Sequence, residues 1–396
     1  MKFTVIGIDD NQEQHFQQDV LAIIANTSVF SGGKRHYEIV KKYLPSEHAW
    51  VEIKVPLLQV FEAYKAYDEI VVFASGDPLF NGFGNTILRE CPDAEVKVFP
   101  YFNSLQLLAH RMLLPYQDMH TVTLTGRPWA KFDEALIKGC GLIGVLTDRK
   151  LHTPQTIAER MLTYGFDNYM MTVGELLGNN EREKYTTLSL EDVGKHTFQF
   201  PNNIILQKTH SLPRPFGIPK TDFHLLNGRA KMITKMPIRL LSLHLLDLRN
   251  RSVFWDVGFC TGSVSIEAKM QFPHLQIFSF EIREEGTALM RDNSRKFHTP
   301  GIESFIGDFL AQDVEELPRP EAVFIGGYGG KLKEFMIKIN NYLLPNGVIV
   351  FNSVSEKSLE TFKSSVQELG MELAENIRIR IDDFNEITAL KAIKTR

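Results

Sequence analysis

The 396-residue chain has few cysteines, no long apolar run and no excess of positive charge. Its three cysteines, Cys91, Cys140 and Cys260, are scattered, which argues against a disulfide framework and favours a reducing compartment. No apolar run approaches the roughly 20 residues of a membrane-spanning helix. The N-terminal stretch MKFTVIGI is too short and too quickly polar for a signal peptide. We therefore expect a soluble, cytoplasmic protein without a membrane partner.

The charge balance also argues against a nucleic-acid partner. Lys and Arg total 44 against 48 Asp and Glu, so the formal net charge is −4, whereas a wide nucleic-acid interface needs a net basic surface. The 12 histidines include no pair at helical ligand spacing and the chain has no CxxC motif, so we expect no protein-bound metal. A chain of 396 residues with 43% hydrophobic content suggests two domains of ordinary size.

Strands alternate with helices along the chain, which is typical of α/β domains with largely parallel sheets. The proline-containing segment 209–215 is predicted to link a domain of residues 1–208 to a domain of residues 216–396. A glycine loop is predicted at 31–36, and a strand, sharp turn and helix start at 69–80. Further strands are predicted at 3–8, 96–99, 121–125, 141–146, 169–173, 277–280, 322–325 and 348–351, and helices at 14–25, 57–67, 153–164 and 233–248.

The strongest chemical signal is the stretch VFWDVGFCTGSVSIEA at 253–268. An apolar strand ends at Asp256, a glycine turn follows at 258–262, and a helical pattern begins directly after it. This order brings backbone N–H groups and a helix N-terminus against a ligand. Glu281 ends another apolar run about 20 residues further on, the distance at which a carboxylate holds ribose hydroxyls in nucleotide-type sites.

Two later loops are expected to join this turn and Glu281. These are IGDF at 306–309 and IGGYGG at 325–330, and all four should meet above the carboxyl ends of the strands, where open α/β sheets bind ligands. The glycines of the last loop allow close backbone approach to a substrate; they are Gly326, Gly327, Gly329 and Gly330. A simpler interpretation is that the four are tight turns of a packed sheet.

DVGFCTG departs from the NAD fingerprint G-x-G-x-x-G and instead resembles the D-x-G-x-G-x-G turn of class I S-adenosylmethionine methyltransferases. Cys260 replaces the middle glycine, either as a small residue that fills the turn or as a nucleophile. With GIPKTDF, MITKMPIR, FEI, GDF and AVFIGGYGG, the turn resembles the cobalamin-pathway methyltransferases that act at C15 of the corrin precursor and decarboxylate its C12 acetate. That family has GDA at 307–309 and GGSGG at 326–330, where this chain has GDF and GGYGG.

The resemblance implies a Rossmann-like C-terminal fold in which a set of residues binds S-adenosylmethionine. These are Thr234, Gly258, Phe259, Cys260, Thr261, Gly262, Glu281, Asp308 and Phe309. Asp308 would lie near the adenine, and the glycines of 326–330 would face the substrate. For Thr234 an N-cap of the helix predicted at 233–248 is the alternative.

The N-terminal half resembles the tetrapyrrole methylase family, the class III methyltransferases. ASGDPLF, with Gly76, Asp77 and Pro78, matches its central motif, and VIGID at 5–9 matches its first strand, although Asp9 stands where a second glycine is usual. FPYFNSLQ matches its P-G-x-S-S loop, with Tyr101 for glycine, Asn103 for serine, and Ser104 kept. SGGKRH and GELLGNNERE, at 174–183, resemble the branch that methylates C5. The resemblance implies a fold of two α/β subdomains and cofactor contacts from residues 76–78, 103 and 104.

The fused order of the two motif sets implies a decarboxylating C-methyltransferase of cobalamin biosynthesis. It would methylate a metal-free or cobalt-bearing precorrin at C5 and C15, with one S-adenosylmethionine site in each half. A substrate with many carboxylates should meet cations. We assign this role to Lys34 and Arg35, with Arg127, Arg149, Lys231, Lys235 and Lys331 as further candidates, although for each of them alone a solvated surface role is the simpler interpretation. Tyr328 is the candidate proton donor for decarboxylation, and a homo-oligomer is expected.

Two alternatives remain open at this point. An RNA methyltransferase could use both folds, but the acidic net charge disfavours it and IGGYGG stands where the amino-methylating N/D-P-P-Y motif would be. A non-catalytic tetrapyrrole carrier would explain the departures from the family patterns at Asp9, Tyr101 and Cys260.

Overall fold

Strands of the described residues form three β-sheets. The structure, a computed structural model, describes residues 1–229, 232–381 and 386–395. Its contacts group the chain into two compact units. The first unit comprises residues 1–127, 141–159 and 169–209, and the second comprises residues 128–140, 160–168 and 210–396.

The first sheet is parallel, and its strand order is β3-β2-β4-β1-β5. Its central strands are continuous buried apolar runs, as expected for parallel strands covered on both faces. The strands are β1 (Lys2–Ile8), β2 (Val29–Gly32), β3 (Ala49–Glu52), β4 (Glu69–Ser75) and β5 (Glu95–Phe99), and the helices are α1 (Gln18–Ala25), α2 (Lys34–Val40), α3 (Leu57–Tyr64), α4 (Phe83–Glu90) and α5 (Ser104–Arg111). Because Ile8 pairs with Ser75, the turns after β1 and β4 lie side by side.

The second sheet is mixed, with the order β6-β7-β10-β8-β9. Only its β6–β7 pair is parallel, so the expectation of largely parallel pairing is wrong here. The reason is that the last strand returns between β7 and β8 and pairs antiparallel with both. The elements are β6 (His120–Thr123), α6 (Ala130–Lys138), β7 (Leu142–Leu146), α7 (Pro154–Thr163), β8 (Tyr169–Glu175), β9 (Lys184–Ser189), α8 (Leu190–Val193) and β10 (Asn202–Lys208).

The third sheet confirms the Rossmann-like architecture predicted for the C-terminal half. Its order is β13-β12-β11-β14-β15-β17-β16, parallel except for the last two strands. The strand order reverses at β11, and such a switch point opens a crevice at the carboxyl ends of the strands. The elements are α9 (Met236–Leu246), β11 (Val253–Val257), α10 (Ser263–Gln271), β12 (Gln276–Glu281), α11 (Glu285–Lys296), β13 (Ile302–Ile306), β14 (Ala322–Ile325), α12 (Leu332–Tyr342), β15 (Val348–Ser353), α13 (Glu356–Glu368), β16 (Glu372–Ile379) and β17 (Ile387–Ile393).

An aromatic cluster fixes the core behind this crevice. The fully buried Trp255 ring lies 5.3 Å from Phe280 and 6.4 Å from Phe309, each in edge-to-face geometry. Burial of one such side chain stabilises the fold by about 1.5–3 kcal/mol. The cluster therefore anchors the ends of β11 and β12 and the loop after β13 to one another.

Several element ends differ from the sequence predictions for local reasons. The helix predicted from residue 14 begins only at Gln18, because the Gln14 amide donates to the Asp9 carboxylate at 2.7 Å and the Asn11 carbonyl at 2.6 Å and holds this segment in a turn. The glycine loop at 31–36 is instead a strand end followed by the start of α2. Short 3-10 turns lie at Lys41–Tyr43, Lys220–Asp222, Leu226–Gly228 and Leu248–Asn250.

The alternative interpretation of Thr234 as a helix N-cap is wrong. Helix α9 begins at Met236, and its N-cap position is occupied by Lys235, whose side chain makes no capping hydrogen bond. Pro237 occupies the first turn, where a missing N–H group costs nothing. In the described part of the chain, no helix has both the length and the apolar character needed to span a membrane.

Candidate active sites

A cavity of about 400 Å³ lies at the carboxyl ends of the strands of the third sheet. Its volume falls in the range of about 300–1,000 Å³ typical of small-molecule sites. Residues of all four predicted loops line this cavity, which confirms that these loops meet. The loop residues that line it are Gly258, Cys260, Glu281, Gly307, Asp308, Phe309, Gly326, Gly327, Tyr328 and Gly329. The remaining lining includes Met232, Ile282, Arg283, Lys331 and Phe335.

The glycine turn after β11 is held against two neighbouring segments. The N–H groups of Gly258 and Phe259 donate to the carbonyl of Phe280, at 2.8 and 3.2 Å. Gly258 has φ +80°, and a Cβ there would lie 2.6 Å from Cα of Gly327. A Cβ at Gly326 would likewise lie 2.8 Å from the Gly258 carbonyl oxygen. These glycines are therefore required by the close approach of two loops.

The last two glycines of the same loop have a different environment. Gly329 and Gly330 have φ values of +54° and +82°, and a Cβ at either position would meet no atom within 4 Å. Here the left-handed backbone conformation, rather than crowding, favours glycine. This part of the loop leaves its backbone open, and Gly329 faces the cavity.

Glu281 presents a buried carboxylate at the end of β12. One carboxylate oxygen, Oε2, accepts a hydrogen bond from the Cys260 N–H at 2.8 Å. The other, Oε1, accepts from the Arg283 N–H at 3.1 Å and from its guanidinium at 3.0 Å. A carboxylate can accept about four hydrogen bonds, so the fixed side chain keeps acceptor capacity for a ligand hydroxyl in the cavity.

Cys260 is better explained as a turn residue than as a nucleophile. Its backbone has φ +53°, and its N–H group binds Glu281. Burial, and then the negative charge of Glu281, raise the pKa of the Cys260 thiol, so the thiol stays protonated at neutral pH. The thiolate is the nucleophilic form of cysteine, which this environment disfavours.

An ion pair lies at the cavity between the loop after β13 and the start of α12. Lys331 Nζ lies 3.0 Å from Oδ2 of Asp308, while the Leu310 N–H donates to Oδ1 at 3.0 Å. The hydrogen bond from Lys331 lowers the pKa of Asp308, so its carboxyl is ionised at neutral pH. Tyr328 lines the same cavity, and its ring packs edge-on against Phe351 at 5.6 Å.

Several predicted residues are not among the cavity-lining residues in the described part of the chain. Phe259 is buried in an apolar cluster with Ile266 and Met290, because its side chain points into the core. Thr261 is also buried, and Gly262 forms the N-cap of α10 with φ +74°. Thr234 contributes its carbonyl to Arg239 at 3.0 Å. Gly330 lies outside the lining as well.

Sequence reasoning missed Met232 and Ile282. Ile282 is 62% exposed, an unusual position for an isoleucine, and it lines the cavity directly after Glu281. Its place in the FEI motif was the only available signal. Lys231, a candidate for substrate binding, lies outside the described residues.

In the first unit, the GDP turn and the FNS loop are brought together. The Gly76 N–H donates to the Ile8 carbonyl at 2.7 Å, and with φ +61° a Cβ at Gly76 would lie 2.9 Å from Cα of Asn103. Asp77 Oδ1 accepts from the Leu79 N–H at 2.8 Å, and Pro78 is buried. The turn is therefore held by its own aspartate and packed directly on the neighbouring loop.

Asn103 caps α5. Its side-chain oxygen accepts from the Gln106 N–H at 3.0 Å, and Gln106 Oε1 accepts from the Asn103 N–H at 2.9 Å, which forms a capping box. Ser104, half-buried, is the first residue of the helix. Tyr101 is 38% exposed, and burial followed by the charge of Asp9 raises the pKa of its hydroxyl.

The predicted cations have different surroundings. Lys34 is exposed at the start of α2. Arg35 Nη2 donates to Ser75 Oγ at 2.9 Å, directly before the GDP turn. The Arg149 guanidinium lies over the Phe200 ring at 4.5 Å. Another cation of the first unit, Arg111, pairs with Glu183 at 2.7 Å.

The C-terminal half combines a Rossmann-like sheet with a glycine turn and a strand-end carboxylate. The N-terminal half combines a parallel sheet with a GDP turn. Together these features define a methyltransferase that uses S-adenosylmethionine. Residues 2–194 match the family model described as Tetrapyrrole (Corrin/Porphyrin) Methylases. Residues 227–396 match the model described as Precorrin methyltransferase domain. The chain belongs to the precorrin methyltransferase family.

Named relatives match most of the chain, and others match each half. The chain is 29% identical to a precorrin-6Y C(5,15)-methyltransferase [decarboxylating] of Sinorhizobium sp, over 89% of this chain and 84% of the relative. It is 29% identical to a cobalt-precorrin-6B C(15)-methyltransferase (decarboxylating) of Salmonella typhimurium, over 41% of this chain and 84% of the relative. It is 26% identical to a cobalt-precorrin-7 C(5)-methyltransferase of that organism, over 47% of this chain and 90% of the relative. These relatives favour neither an RNA methyltransferase nor a non-catalytic carrier.

Proposed function

We propose that the chain methylates a precorrin, metal-free or cobalt-bearing, at C5 and C15 and removes the carboxyl group of its C12 acetate. Residues 1–208 would carry out the C5 reaction and residues 216–396 the C15 reaction with decarboxylation, joined by the linker 209–215. The similarity to a relative named for both reactions, and to separate relatives named for each, supports this division. The observation that carries the proposal is the cavity at which all four C-terminal loops meet around the Glu281 carboxylate.

In the C-terminal half, the residues of the cavity suit a nucleoside with a charged sulfonium tail. Glu281 would accept hydrogen bonds from ribose hydroxyls, and Asp308 would accept one from the adenine amino group. Ile282 and Phe309 offer apolar surface to the adenine ring. The bound cofactor supplies an electrophilic methyl group. The absence of a Cβ at Gly258 allows the turn to lie close to the neighbouring loop at Gly327.

The protein mainly has to align the substrate carbon with that methyl group. In-line transfer needs the two carbons at about 3–3.5 Å, which positioning residues secure. Lys331 would bind a substrate carboxylate near the cavity, and the open backbone of Gly329 and Gly330 would face the macrocycle together with Gly326 and Gly327. Tyr328 would donate the proton that replaces the lost carboxyl group. The conjugated ring can accept the electrons released by decarboxylation, so no protein-bound metal is required.

The N-terminal half would hold a second cofactor through the GDP turn. Gly76 and Pro78 would offer backbone groups, with Asp77 as the side chain that stabilises the turn. Asn103 and Ser104 would line the opposite side, and Lys34 and Arg35 would meet substrate carboxylates. The close approach of Gly76 to Asn103 supports a single site built from both motifs.

Product mass tests the proposal directly. The purified chain, incubated with precursor and S-adenosylmethionine, is expected to add two methyl groups and release carbon dioxide. Calorimetry with S-adenosylhomocysteine is expected to detect two sites per chain. We further propose that the chain forms a homo-oligomer and has no nucleic-acid or membrane partner. Sedimentation measures the oligomeric state. Methylation of RNA but not of the corrinoid precursor would contradict the function.

A further inference from the structure

The hydroxyl of Ser75, the last residue of β4, lies within hydrogen-bond distance of two side chains of α2. Arg35 Nη2 lies 2.9 Å from Ser75 Oγ, and His36 Nε2 lies 2.8 Å from it. Arginine is always protonated and has no acceptor atom, so the first contact is a donation to Oγ. The direction of the second contact depends on which histidine nitrogen carries the proton.

The surroundings of the imidazole assign that proton to Nε2. The other ring nitrogen, Nδ1, accepts a hydrogen bond from the Gly33 N–H at 3.2 Å, so it carries a lone pair. Burial, followed by the nearby charge of Arg35, lowers the pKa of His36 to about 4, so the ring is neutral at physiological pH. Nε2 therefore donates to Ser75.

A hydroxyl oxygen has two lone pairs and one proton to donate. Both lone pairs of Ser75 Oγ are used by donors from α2, and no acceptor for its proton is present among the described residues. Ser75 is exposed and directly precedes the GDP turn. Its O–H group must therefore point outward, polarised by the guanidinium behind it, toward an acceptor that is not part of the chain.

We propose that Ser75 and Arg35 form a carboxylate-binding subsite beside the Gly76–Pro78 turn, with His36 as the positioning residue that orients the serine proton outward. This inference rests on the proposed function and adds a recognition element to the N-terminal site. A carboxylate fits because it accepts from both O–H and N–H donors, and charge-assisted hydrogen bonds of this kind are the strong ones.

Asp10 contributes the rigidity of the subsite. Its Oδ1 lies 3.5 Å from Arg35 Nε. Burial raises the pKa of Asp10, against the lowering effect of Arg35. Arg182 adds a second positive charge near Asp10. The guanidinium is thus held in place while Nη2 remains directed at Ser75.

Two carboxylates reach this turn under the proposed function: a side chain of the macrocycle and the amino-acid end of the cofactor. Both present the same chemistry, so binding measurements must separate them. The test compares two variants. Ser75→Ala removes the hydroxyl donor, and Ser75→Thr keeps a hydroxyl and is the matched control. Methylation at C15 by the same full-length chain serves as the folding control.

The first arm measures the KM for the precursor in C5 methylation at saturating S-adenosylmethionine. The second arm measures binding of S-adenosylhomocysteine and of 5′-methylthioadenosine, which lacks the carboxylate, in a Glu281→Ala background that weakens the C-terminal site. Loss of one charge-assisted hydrogen bond corresponds to about tenfold in an equilibrium constant. We expect Ser75→Ala to raise the precursor KM about tenfold and Ser75→Thr to restore it.

Each outcome decides the inference. A higher precursor KM identifies the macrocycle as the source of the carboxylate. Weaker binding of S-adenosylhomocysteine, with unchanged binding of 5′-methylthioadenosine, identifies the cofactor. Unchanged KM and binding, or a change in kcat alone, would overturn the subsite. Failure of the unaltered chain to methylate C5 would instead contradict the proposed function.

Discussion

The carboxylate of Glu281 accepts a hydrogen bond from the N–H group of Cys260 at 2.8 Å, and this contact joins the ends of two adjacent strands, β12 and β11. The glycine turn and the acidic residue, separate in the sequence, are thus one structural unit. A change at Glu281 alters both the acceptor in the cavity and the support of the turn.

Glu281→Ala is expected to weaken S-adenosylhomocysteine binding at the C-terminal site by about 10- to 100-fold, because hydrogen bonds to charged groups contribute about 1.5–3 kcal/mol. C15 methylation should fall while C5 methylation persists. Calorimetry and the product mass check both. Glu284→Ala, an exposed glutamate just before α11, is the matched control and should leave both reactions intact. Equal loss of both methylations would contradict independent sites.

Asp77→Ala is expected to have the opposite selectivity. The Leu79 N–H loses its acceptor, so the GDP turn loosens and C5 methylation falls at least about tenfold. C15 methylation should be retained, and mass spectrometry would then detect a product with one added methyl group. Asp77→Asn keeps the acceptor oxygen and should recover most of the activity. A product with both methyl groups at the normal rate would argue against a role for this turn.

Gly258 and Gly330 allow a matched comparison of crowding and backbone strain. Their φ values are +80° and +82°, but a Cβ meets Gly327 only at position 258. Gly330→Ala should cost about 1–3 kcal/mol of strain alone. Gly258→Ala should lower the thermal midpoint further and weaken S-adenosylhomocysteine binding, since the two loops must separate. Similar behaviour of both variants would show that the loop contact is unimportant.

Asp256 predicts a pH dependence of stability. Burial raises the pKa of Asp256 to about 7. Hydrogen bonds from Ser265 to Oδ2 lower this pKa but do not outweigh burial. The other oxygen, Oδ1, has no hydrogen-bond partner among the described residues. The folded state binds the proton of the Asp256 carboxyl more tightly than the unfolded state does. The stability that this protonated carboxyl contributes is therefore full below pH 3.8 and is lost as the pH rises through about 7. The loss amounts to at most about 4 kcal/mol.

Thermal unfolding of the unaltered chain and of Asp256→Asn, at about pH 5 and about pH 8, measures this effect. The midpoint of the unaltered chain should fall more than that of the variant between the two values. The neutral amide of asparagine does not titrate, so the difference between the two chains isolates Asp256. Parallel midpoints at both pH values would rule out the raised pKa.

Much of the C-terminal site could be predicted because its signals are local. A buried run ending in a turn specifies a strand end, and parallel strands bring such ends to one edge of a sheet. Glu281 and the loops at 256–262, 306–309 and 325–330 follow from that rule. The direction of the Phe259 side chain could not be predicted in this way, because a turn residue can point to the cavity or to the core with the same sequence spacing.

The sequence by itself determined the alternation of strands and helices, the strand-end turns and the family to which they belong, because these depend on residues close together in the chain. Only the tertiary structure decided the antiparallel return of β10, the close approach of Gly258 to Gly327, and the donation of two hydrogen bonds to Ser75. Each of these depends on which distant segments become neighbours and in which register, and that is set by the packing of the whole chain.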